Sequence, residues 1–391
     1  MKLEEVFNSY KDYILPTYTK TPLVFVKGKG SRLWDIHEKA YLDFFPGWGV
    51  GNLGHCHPKV VRAIREQAGK LIFIPNNYYH IAQAKLAKEI IRLAFSGKVF
   101  FCNSGAEANE GAIKLSRKFG RGRFEIITFE NSFHGRTLAA LSATGQKKYQ
   151  SGFEPLVEGF KIVKFNDLEA VRGALTPKTV AVMLELIQGE GGINIADKNF
   201  VLGLRKLCDE KNMLLIIDEV QTGIARTAKF FCYQNYGITP DIITLAKALG
   251  GGLPIGAMVV KKEIADILGP GTHASTFGGG PVVCRAALAV LAVIQKEKLL
   301  ENSKIMGDFL SDKLEGLKRK YPLIKEVRGQ GLMWGLELNI DGKAVVEKCL
   351  TRGLLINCTH ERVLRLMPAL NVTVKEIDKA MAILEEVLKE S

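Results

Sequence analysis

Apolar runs and amphipathic stretches alternate along the chain between residues 57 and 261, and this pattern most constrains the fold. The apolar runs predict buried strands at KVFFC (98–102), FEIITF (124–129), VAVMLELI (180–187), MLLIID (213–218), DIITLA (241–246) and GAMVVK (256–261). Helical periodicity appears at HPKVVRAIREQAGK, HIAQAKLAKEIIRLA, EANEGAIKLSRKFG and NFVLGLRKLCDEKN. The alternation predicts βα units in an α/β fold, with a mostly parallel central sheet flanked by helices.

The pattern changes after about residue 285, where long amphipathic helices and a few short strands follow, ending in VKEIDKAMAILEEVLKE. A chain of 391 residues also exceeds the usual size of a single hydrophobic core. We therefore predict a large ligand-binding domain at 51–285 and a smaller α+β domain at 286–391. The N-terminal segment 1–50 is expected to pack with the small domain.

Composition and termini indicate a cytoplasmic globular protein. Hydrophobic residues make up 47% and charged residues 24% of the chain, which is typical of globular domains. The N-terminal sequence MKLEEVFNSYKDY lacks a signal-peptide pattern. The longest apolar run, AALAVLAVI, is far too short for a membrane span. Seven scattered cysteines without a CxxC motif favour reduced thiols.

The formal net charge of +13 raises the question of an anionic partner. The basic residues are dispersed, with no run of five or more, so small anionic metabolites are a simpler expectation than nucleic acid. His55, Cys56 and His57 could suggest a metal site, but no second ligand cluster follows them. We expect neither nucleic-acid nor metal binding.

Candidate ligand-binding residues follow the predicted strands. After the strand at 98–102, a turn with Ser104 and Gly105 leads into a helix that opens with Ala106 and Glu107. The N–H groups and dipole of such a helix start favour an anion such as phosphate, although a Ser-Gly turn is also an ordinary helix cap. After the strand at 124–129, Phe133, His134 and Arg136 share one loop, of which Phe133 and Arg136 are the candidate ligand-binding residues. These two side chains either stack on a flat ring and bind a carboxylate, or are a core phenylalanine and a solvated arginine.

Two charged residues end buried strands. Asp218 closes the strand at 213–218, where a buried carboxylate needs a cationic partner, either structural or catalytic. Lys247 lies between an apolar strand and three consecutive glycines, as a buried ion-pair partner or an amine nucleophile. Together with the anion and ring sites, these residues describe a phosphorylated, cationic-nitrogen ring that forms a Schiff base with lysine. The predicted cofactor is pyridoxal 5′-phosphate.

An ordered set of motifs resembles a known family. SGAEANE, SFHGRT, QGEGG, IIDEVQTG, LAKALGGGLPIGA, STFGG and RGQGLMWGLEL look like those of the class III (ornithine-type) aminotransferases of fold type I. The resemblance runs from about residue 15 to the C-terminus, and NLGHCHPKV and GLLINCTHERVLRLMPALNVT look most like the acetylornithine branch of that family. It implies a homodimer with shared active sites that transfers the δ-amino group of N-acetylornithine to 2-oxoglutarate by a ping-pong mechanism, in arginine biosynthesis.

The resemblance also implies roles for individual residues. Lys247 would carry the cofactor as a Schiff base and move the proton between the substrate and cofactor carbons, and Asp218 would keep the pyridinium nitrogen protonated. The remaining implied cofactor contacts are Phe133 on the ring face, Gln221 at the phenolic oxygen, Gly105 and Ala106 at the phosphate, and Thr276 at the phosphate from the neighbouring subunit.

On the substrate side, the resemblance implies that Arg365 binds the carboxylate of glutamate and 2-oxoglutarate, and that Arg136 contacts the acylated amino acid. Glu190 would act as a gate that pairs with Arg365 when a terminal amine enters. Ser275 would lie beside Thr276, near the substrate. Trp48, in a loop at the substrate entrance of relatives, either narrows the pocket, stacks on an acyl group or is a core residue.

Two classes of alternative remain open. Ornithine, 4-aminobutyrate or succinyldiaminopimelate aminotransferases, or a related aminomutase or racemase, would share Lys247, Asp218 and the phosphate groups. They would differ only in the substrate loops. Outside enzymes, the chain could be a basic binding protein that keeps the fold without catalysis.

Overall fold

The computed structural model describes residues 3–390. The helices are α1 Leu3–Tyr13, α2 Pro58–Ala68, α3 Ile81–Leu93, α4 Gly105–Gly120, α5 Leu138–Ala143, α6 Lys147–Gln150, α7 Leu168–Ala174, α8 Lys198–Glu210, α9 Pro281–Lys296, α10 Leu299–Lys320, α11 Gly342–Thr351 and α12 Val374–Lys389. The strands are β1 Phe25–Lys29, β2 Arg32–Asp35, β3 Ala40–Asp43, β4 Gly97–Cys102, β5 Glu125–Phe129, β6 Phe160–Val163, β7 Thr179–Leu184, β8 Ile187–Gln188, β9 Asn194–Ile195, β10 Leu214–Asp218, β11 Ile242–Leu245, β12 Gly256–Lys261, β13 Ile324–Gln330, β14 Met333–Leu338, β15 Leu354–Leu355, β16 Asn357–Thr359 and β17 Val363–Leu366.

A seven-stranded sheet in the order β4-β12-β11-β10-β7-β5-β6 forms the centre of the molecule. Strands β11, β10, β7, β5 and β6 run parallel, whereas β12 is antiparallel to both of its neighbours. Strands β7, β10 and β11 are buried along their whole length, because helices cover the faces of a parallel sheet. The α/β fold with a mostly parallel sheet is confirmed.

The apolar run 180–187 forms two strands rather than the single predicted strand. Strand β7 ends at Leu184, and β8 pairs with β9 in a separate antiparallel ribbon. The break falls at Glu185, whose carboxylate accepts hydrogen bonds from the backbone N–H groups of Phe133 and Gly189. Since this carboxylate is buried, the chain must turn here to bring those donors to it.

Two smaller sheets are built from strands near the two ends of the chain. β1, β2, β3 and β15 form one sheet, in which the C-terminal β15 runs parallel to β3, and β13, β14, β17 and β16 form the other. The N-terminal residues 25–43 therefore share a sheet with the C-terminal part of the chain. The boundary predicted at 285/286 falls inside α9. Over residues 3–390, no helix combines the length and apolar character needed to cross a bilayer.

Candidate active site

A cavity of about 490 Å³ opens at the carboxyl ends of β5, β7, β10 and β11 and at the start of α4. Ligands of open α/β sheets usually bind at this edge. The cavity wall contains most of the residues predicted for the site: Gly105, Ala106, Phe133, Arg136, Glu190, Asp218, Gln221 and Lys247. The sheet topology therefore brings together residues that lie far apart in the sequence.

Asp218, the last residue of β10, is fixed at the floor of the cavity. Its Oδ2 accepts hydrogen bonds from Asn109 Nδ2 at 2.8 Å and from the ring nitrogen His134 Nδ1 at 2.9 Å, while its Oδ1 accepts from the Val220 N–H at 3.0 Å. The side chains of Asp218, Asn109 and His134 are almost completely buried. A carboxylate held by several donors keeps one orientation.

Lys247 follows β11 with a backbone φ of 45°, a left-handed conformation that costs a non-glycine residue about 1 kcal/mol. No described residue forms a hydrogen bond with its amine. Burial lowers the pKa of Lys247, and the charges of Glu190 and Asp218 act against that shift. A lysine with a lowered pKa has a larger share of neutral amine, the form that acts as nucleophile and base.

Helix α4 begins at the cavity with two unbonded backbone donors. Ser104 caps the helix through its Oγ, which accepts from the Glu107 N–H at 3.2 Å. The N–H groups of Gly105 and Ala106 belong to the first turn, where no intrahelical acceptor exists, and both residues line the cavity. A Cβ on Gly105 would lie 2.8 Å from Val220, so only glycine allows this close approach. The helix start thus forms a cradle for an anionic group.

Three buried polar atoms on cavity-lining residues have no hydrogen-bond partner among the described residues: Asn109 Oδ1, His134 Nε2 and Gln221 Oε1. The amide nitrogen of Gln221 donates to the Trp48 carbonyl at 3.2 Å, so that side chain is tethered. Phe133 supplies an aromatic wall. An anion cradle, an aromatic wall, a fixed carboxylate and a lysine around unsatisfied polar atoms fit pyridoxal 5′-phosphate.

Glu190 and Arg365 form an ion pair beside the cavity. Arg365 Nη1 contacts Glu190 Oε1 at 2.6 Å and Arg365 Nη2 contacts Oε2 at 3.2 Å, while Asn357 Oδ1 and the Gly189 carbonyl accept the other guanidinium hydrogens. Burial tends to raise the pKa of Glu190, but the charge and hydrogen bonds of Arg365 outweigh it, so this pKa is lowered. Arg365 is only 1% exposed, and Glu190 occupies two of its N–H donors.

The other predicted substrate residues lie in different surroundings. Arg136 is exposed at the cavity, and the described residues offer it no ion pair or hydrogen bond. Ser275 and Thr276 are not part of the cavity wall. Ser275 Oγ accepts a hydrogen bond from Asn103 Nδ2 at 3.2 Å, and Thr276 is exposed. The chain alone therefore brings together the predicted cofactor residues other than Thr276, with Arg136 in the cavity wall and Arg365 beside the cavity.

Sequence reasoning missed Asn109 and Glu185 and assigned no role to His134. Asn109 lies one helical turn after Gly105, on the same face of α4. A polar side chain at this spacing from the predicted anion site could have marked Asn109 as a site residue. Glu185 follows a buried apolar run in the same way as Asp218 does. Burial raises the pKa of Glu185 to about 7, with the nearby charge of His134 opposing this and that of Asp218 adding to it.

Over residues 3–390, no group of three His, Cys, Asp or Glu side chains is arranged to hold a metal ion. His55, considered above as a ligand, instead contacts Asp43 Oδ2 at 2.7 Å through Nε2.

Comparison with known proteins identifies relatives over the whole chain. The family model described as class-III aminotransferase matches residues 13–388. An acetylornithine aminotransferase of Methanocaldococcus jannaschii is 53% identical, covering 100% of this chain and 99% of its own. The ornithine aminotransferase of Toxoplasma gondii, crystallised with partial occupancy of PLP at the active site, superimposes with a TM-score of 0.94 at 34% identity, covering 98% of this chain and 94% of its own. The acetylornithine aminotransferase of Elizabethkingia anophelis gives a TM-score of 0.89 at 33% identity, covering 100% of both chains.

Proposed function

This chain belongs to the class-III aminotransferase family, and we propose that it transfers the terminal amino group of N-acetylornithine to 2-oxoglutarate. The products are N-acetylglutamate semialdehyde and glutamate, and the two half-reactions use one cavity in turn. The reaction is a step of arginine biosynthesis. The relatives named acetylornithine aminotransferase, which match along their whole length, support this substrate over the alternatives.

The cavity residues divide the chemistry between them. When bound, pyridoxal 5′-phosphate supplies a carbonyl for the amine and a ring that accepts the electron pair left when the amine-bearing carbon loses its proton. Lys247 Nζ takes that proton from the substrate carbon and would deliver it to the carbon of the former cofactor carbonyl, so that the amino group stays with the cofactor. Asp218, oriented by Asn109 and His134, holds a positive charge opposite its carboxylate. The first turn of α4 would hold the phosphate, and Phe133 would cover the ring face.

The observation that carries the substrate proposal is that Arg365 is paired with Glu190 while Arg136 has no acidic partner among the described residues. A donor such as N-acetylornithine approaches with a terminal amine, so its carboxylate must bind away from the reacting carbon. Arg136 is exposed and can bind this carboxylate at once, whereas Arg365 is neutralised by Glu190. Glutamate reacts at its α-carbon, so its α-carboxylate needs a different site close to that carbon, which Arg365 provides after Glu190 swings away. Two arginines in different states thus suit two substrates of different length.

We further propose a homodimer in which each subunit completes the other's site. Large apolar side chains are exposed around residues 71–81 and at Phe153 and Phe277, where a second copy could cover them. Thr276 lies next to Phe277 on this surface and outside its own cavity. A neighbouring subunit that buries the surface would bring Thr276 to the phosphate cradle.

The proposed location is a reducing cytoplasm, because all seven cysteines are free thiols.

A single half-reaction with each candidate donor tests the proposal. The cofactor-loaded enzyme is mixed separately with N-acetylornithine, ornithine, 4-aminobutyrate and succinyldiaminopimelate, and the loss of the visible cofactor absorption is followed. N-acetylornithine should convert the enzyme fastest. Arg136→Ala should slow mainly this reaction, and Arg365→Ala mainly the reaction with glutamate. Equal losses in both directions for both variants would refute the division between the arginines.

A further inference from the structure

We propose that Tyr149 is a positioning residue that holds Arg136 ready for the carboxylate of the amino donor. The inference rests on the proposed function of Arg136 and names the group that orients it. Tyr149 does not line the cavity, so it acts on the substrate through Arg136.

The Tyr149 ring lies under the guanidinium of Arg136. The Arg136 Cζ is 4.1 Å from the centroid of this ring and 5.7 Å from the centroid of Phe133. The two rings meet edge to face, with centroids 5.6 Å apart and planes at 81°. Contacts with ring faces attract a cation within about 6 Å. In the described chain these rings are the groups that fix the head of an otherwise exposed arginine.

Hydrogen bonds on both sides fix the position of Tyr149 itself. Gln146 Nε2 donates to the carbonyls of Asn131 at 3.2 Å and Ser132 at 3.1 Å, in the loop that carries Phe133 and Arg136. Gln150 Nε2 donates to the Thr144 carbonyl at 2.8 Å. Both glutamine side chains are buried. Helix α6 and its ring are therefore anchored to the same loop as the arginine that the ring supports.

A ring has a functional advantage over an acid at this position. An acidic partner would occupy the N–H groups of Arg136 and neutralise it, as Glu190 does to Arg365. A ring face instead contacts the π-surface of the guanidinium and leaves its N–H edge free to bind a carboxylate bidentately. The rotamer entropy lost when the donor binds is then smaller, because the arginine is already restricted. Tyr149 thus preorganises Arg136 without blocking it.

Matched variants at one position test this role in the cofactor-loaded enzyme. Tyr149→Leu removes the ring, and Tyr149→Phe keeps it while removing the hydroxyl, which forms no hydrogen bond with a described residue. We expect Tyr149→Leu to raise the KM for N-acetylornithine about three- to tenfold with little change in kcat. The Kd of unreactive N-acetylnorvaline, which keeps the carboxylate and lacks the amine, should rise equally in calorimetry. Tyr149→Phe should restore both values to within about twofold of the parent.

Three comparisons separate this role from a structural one. The glutamate half-reaction and the visible circular dichroism of the cofactor should not change in Tyr149→Leu. N-acetyl-1,4-diaminobutane, which lacks the carboxylate, should react equally with parent and variant. In an Arg136→Ala background, Tyr149→Leu should raise the KM for N-acetylornithine further by less than about twofold, because the two residues act as one unit.

Several results would overturn the inference. The first is an unchanged KM and Kd in Tyr149→Leu. The second is a loss of activity in this variant that extends to glutamate or to N-acetyl-1,4-diaminobutane. The third is an equal rise of KM in the Leu and Phe variants, which would assign the effect to the hydroxyl. If Arg136→Ala reduces the N-acetylornithine reaction and Tyr149→Leu does not, only the inference fails. If Arg136→Ala has no effect on that reaction, the proposed function of Arg136 fails and the inference with it.

Discussion

The floor of the cavity and its mouth are built in opposite ways. At the floor, Asp218 is buried and held in one orientation by Asn109, His134 and a backbone N–H. At the mouth, Arg136 rests on ring faces, and Arg365 is paired with Glu190, the acid that we propose moves aside when a carboxylate binds. The groups at the floor therefore keep one set of partners, whereas the arginines at the mouth can exchange theirs for a substrate carboxylate.

The difference follows from the demands of a two-substrate reaction in one cavity. Proton transfer is the same chemistry in both half-reactions, so a floor with one geometry serves both. The carboxylates of the two substrates differ in their distance from the reacting carbon, so no single arginine suits both. Variants of the floor should therefore damage both half-reactions equally, and variants of the mouth should separate them.

Lys247→Ala should have the largest effect. Removing the amine eliminates the proton carrier of both half-reactions, so steady-state turnover should fall by about four orders of magnitude or more. A small external amine should restore part of the rate in both directions. Lys211→Ala, at an exposed lysine, is the control and should retain parental turnover. If Lys247→Ala lost only one half-reaction, the two half-reactions would not use the same residues at the floor.

Asp218→Asn should slow both half-reactions by about 10²- to 10³-fold. The amide cannot carry the negative charge that stabilises a protonated ring nitrogen, although it keeps the size of the side chain. The measurement is single-turnover conversion with N-acetylornithine and, separately, with glutamate. We expect the two rates to fall by factors that agree within about threefold. Near-parental rates would mean that Asp218 does not contact the cofactor.

Much of the fold could be predicted from local patterns, and the rest depends on long-range pairing. The strand at 256–261 has the predicted bounds, but its antiparallel insertion between β4 and β11 has no local signal. The pairing of β3 with β15 joins segments near opposite ends of the chain, which no periodicity reveals. The division into three segments with boundaries at 50/51 and 285/286 stays a prediction.

The site shows the same limit at the level of side chains. Lys247 and Asp218 could be identified because a charge after a buried strand needs an explanation. Asn109 acquires its role only because α4 lies against the end of β10, and Tyr149 only because α6 returns to the loop of Arg136. Such residues support another side chain, so their own sequence surroundings do not mark them.

Glu190→Gln should separate the half-reactions at the mouth. The amide keeps the shape of the gate but loses its charge, so Arg365 is more easily uncovered. We expect kcat/KM for glutamate to rise relative to kcat/KM for N-acetylornithine, by about tenfold. Both constants are measured by stopped-flow absorption of the cofactor, with Arg365→Ala as the opposite control. An unchanged ratio would show that Glu190 does not act as a gate.

Glu185→Gln should have the smallest effect. Glu185 joins floor and mouth, because it binds the backbone of both Phe133 and Gly189, the neighbour of Glu190. Its carboxylate accepts from Phe133 N at 2.9 Å and from Gly189 N at 3.2 Å, and burial raises its pKa from 4.5 to about 7. The folded protein therefore keeps this proton at pH values where the unfolded chain has released it. The resulting stabilisation is complete below about pH 4.5 and is lost as the pH rises through about 7, with a slope of at most about 1.4 kcal/mol per pH unit.

A glutamine at position 185 does not titrate, so this contribution to the slope should disappear. Thermal unfolding of the apoprotein between pH 5 and about pH 8 measures it, at one protein concentration because the proposed dimer links stability to concentration. Glutamine has one acceptor oxygen for two backbone donors, so the melting temperature should also be lower than the parental value at every pH. If the variant kept the parental slope, the proton would belong to another buried group, and Glu185 would join floor and mouth as a permanent anion.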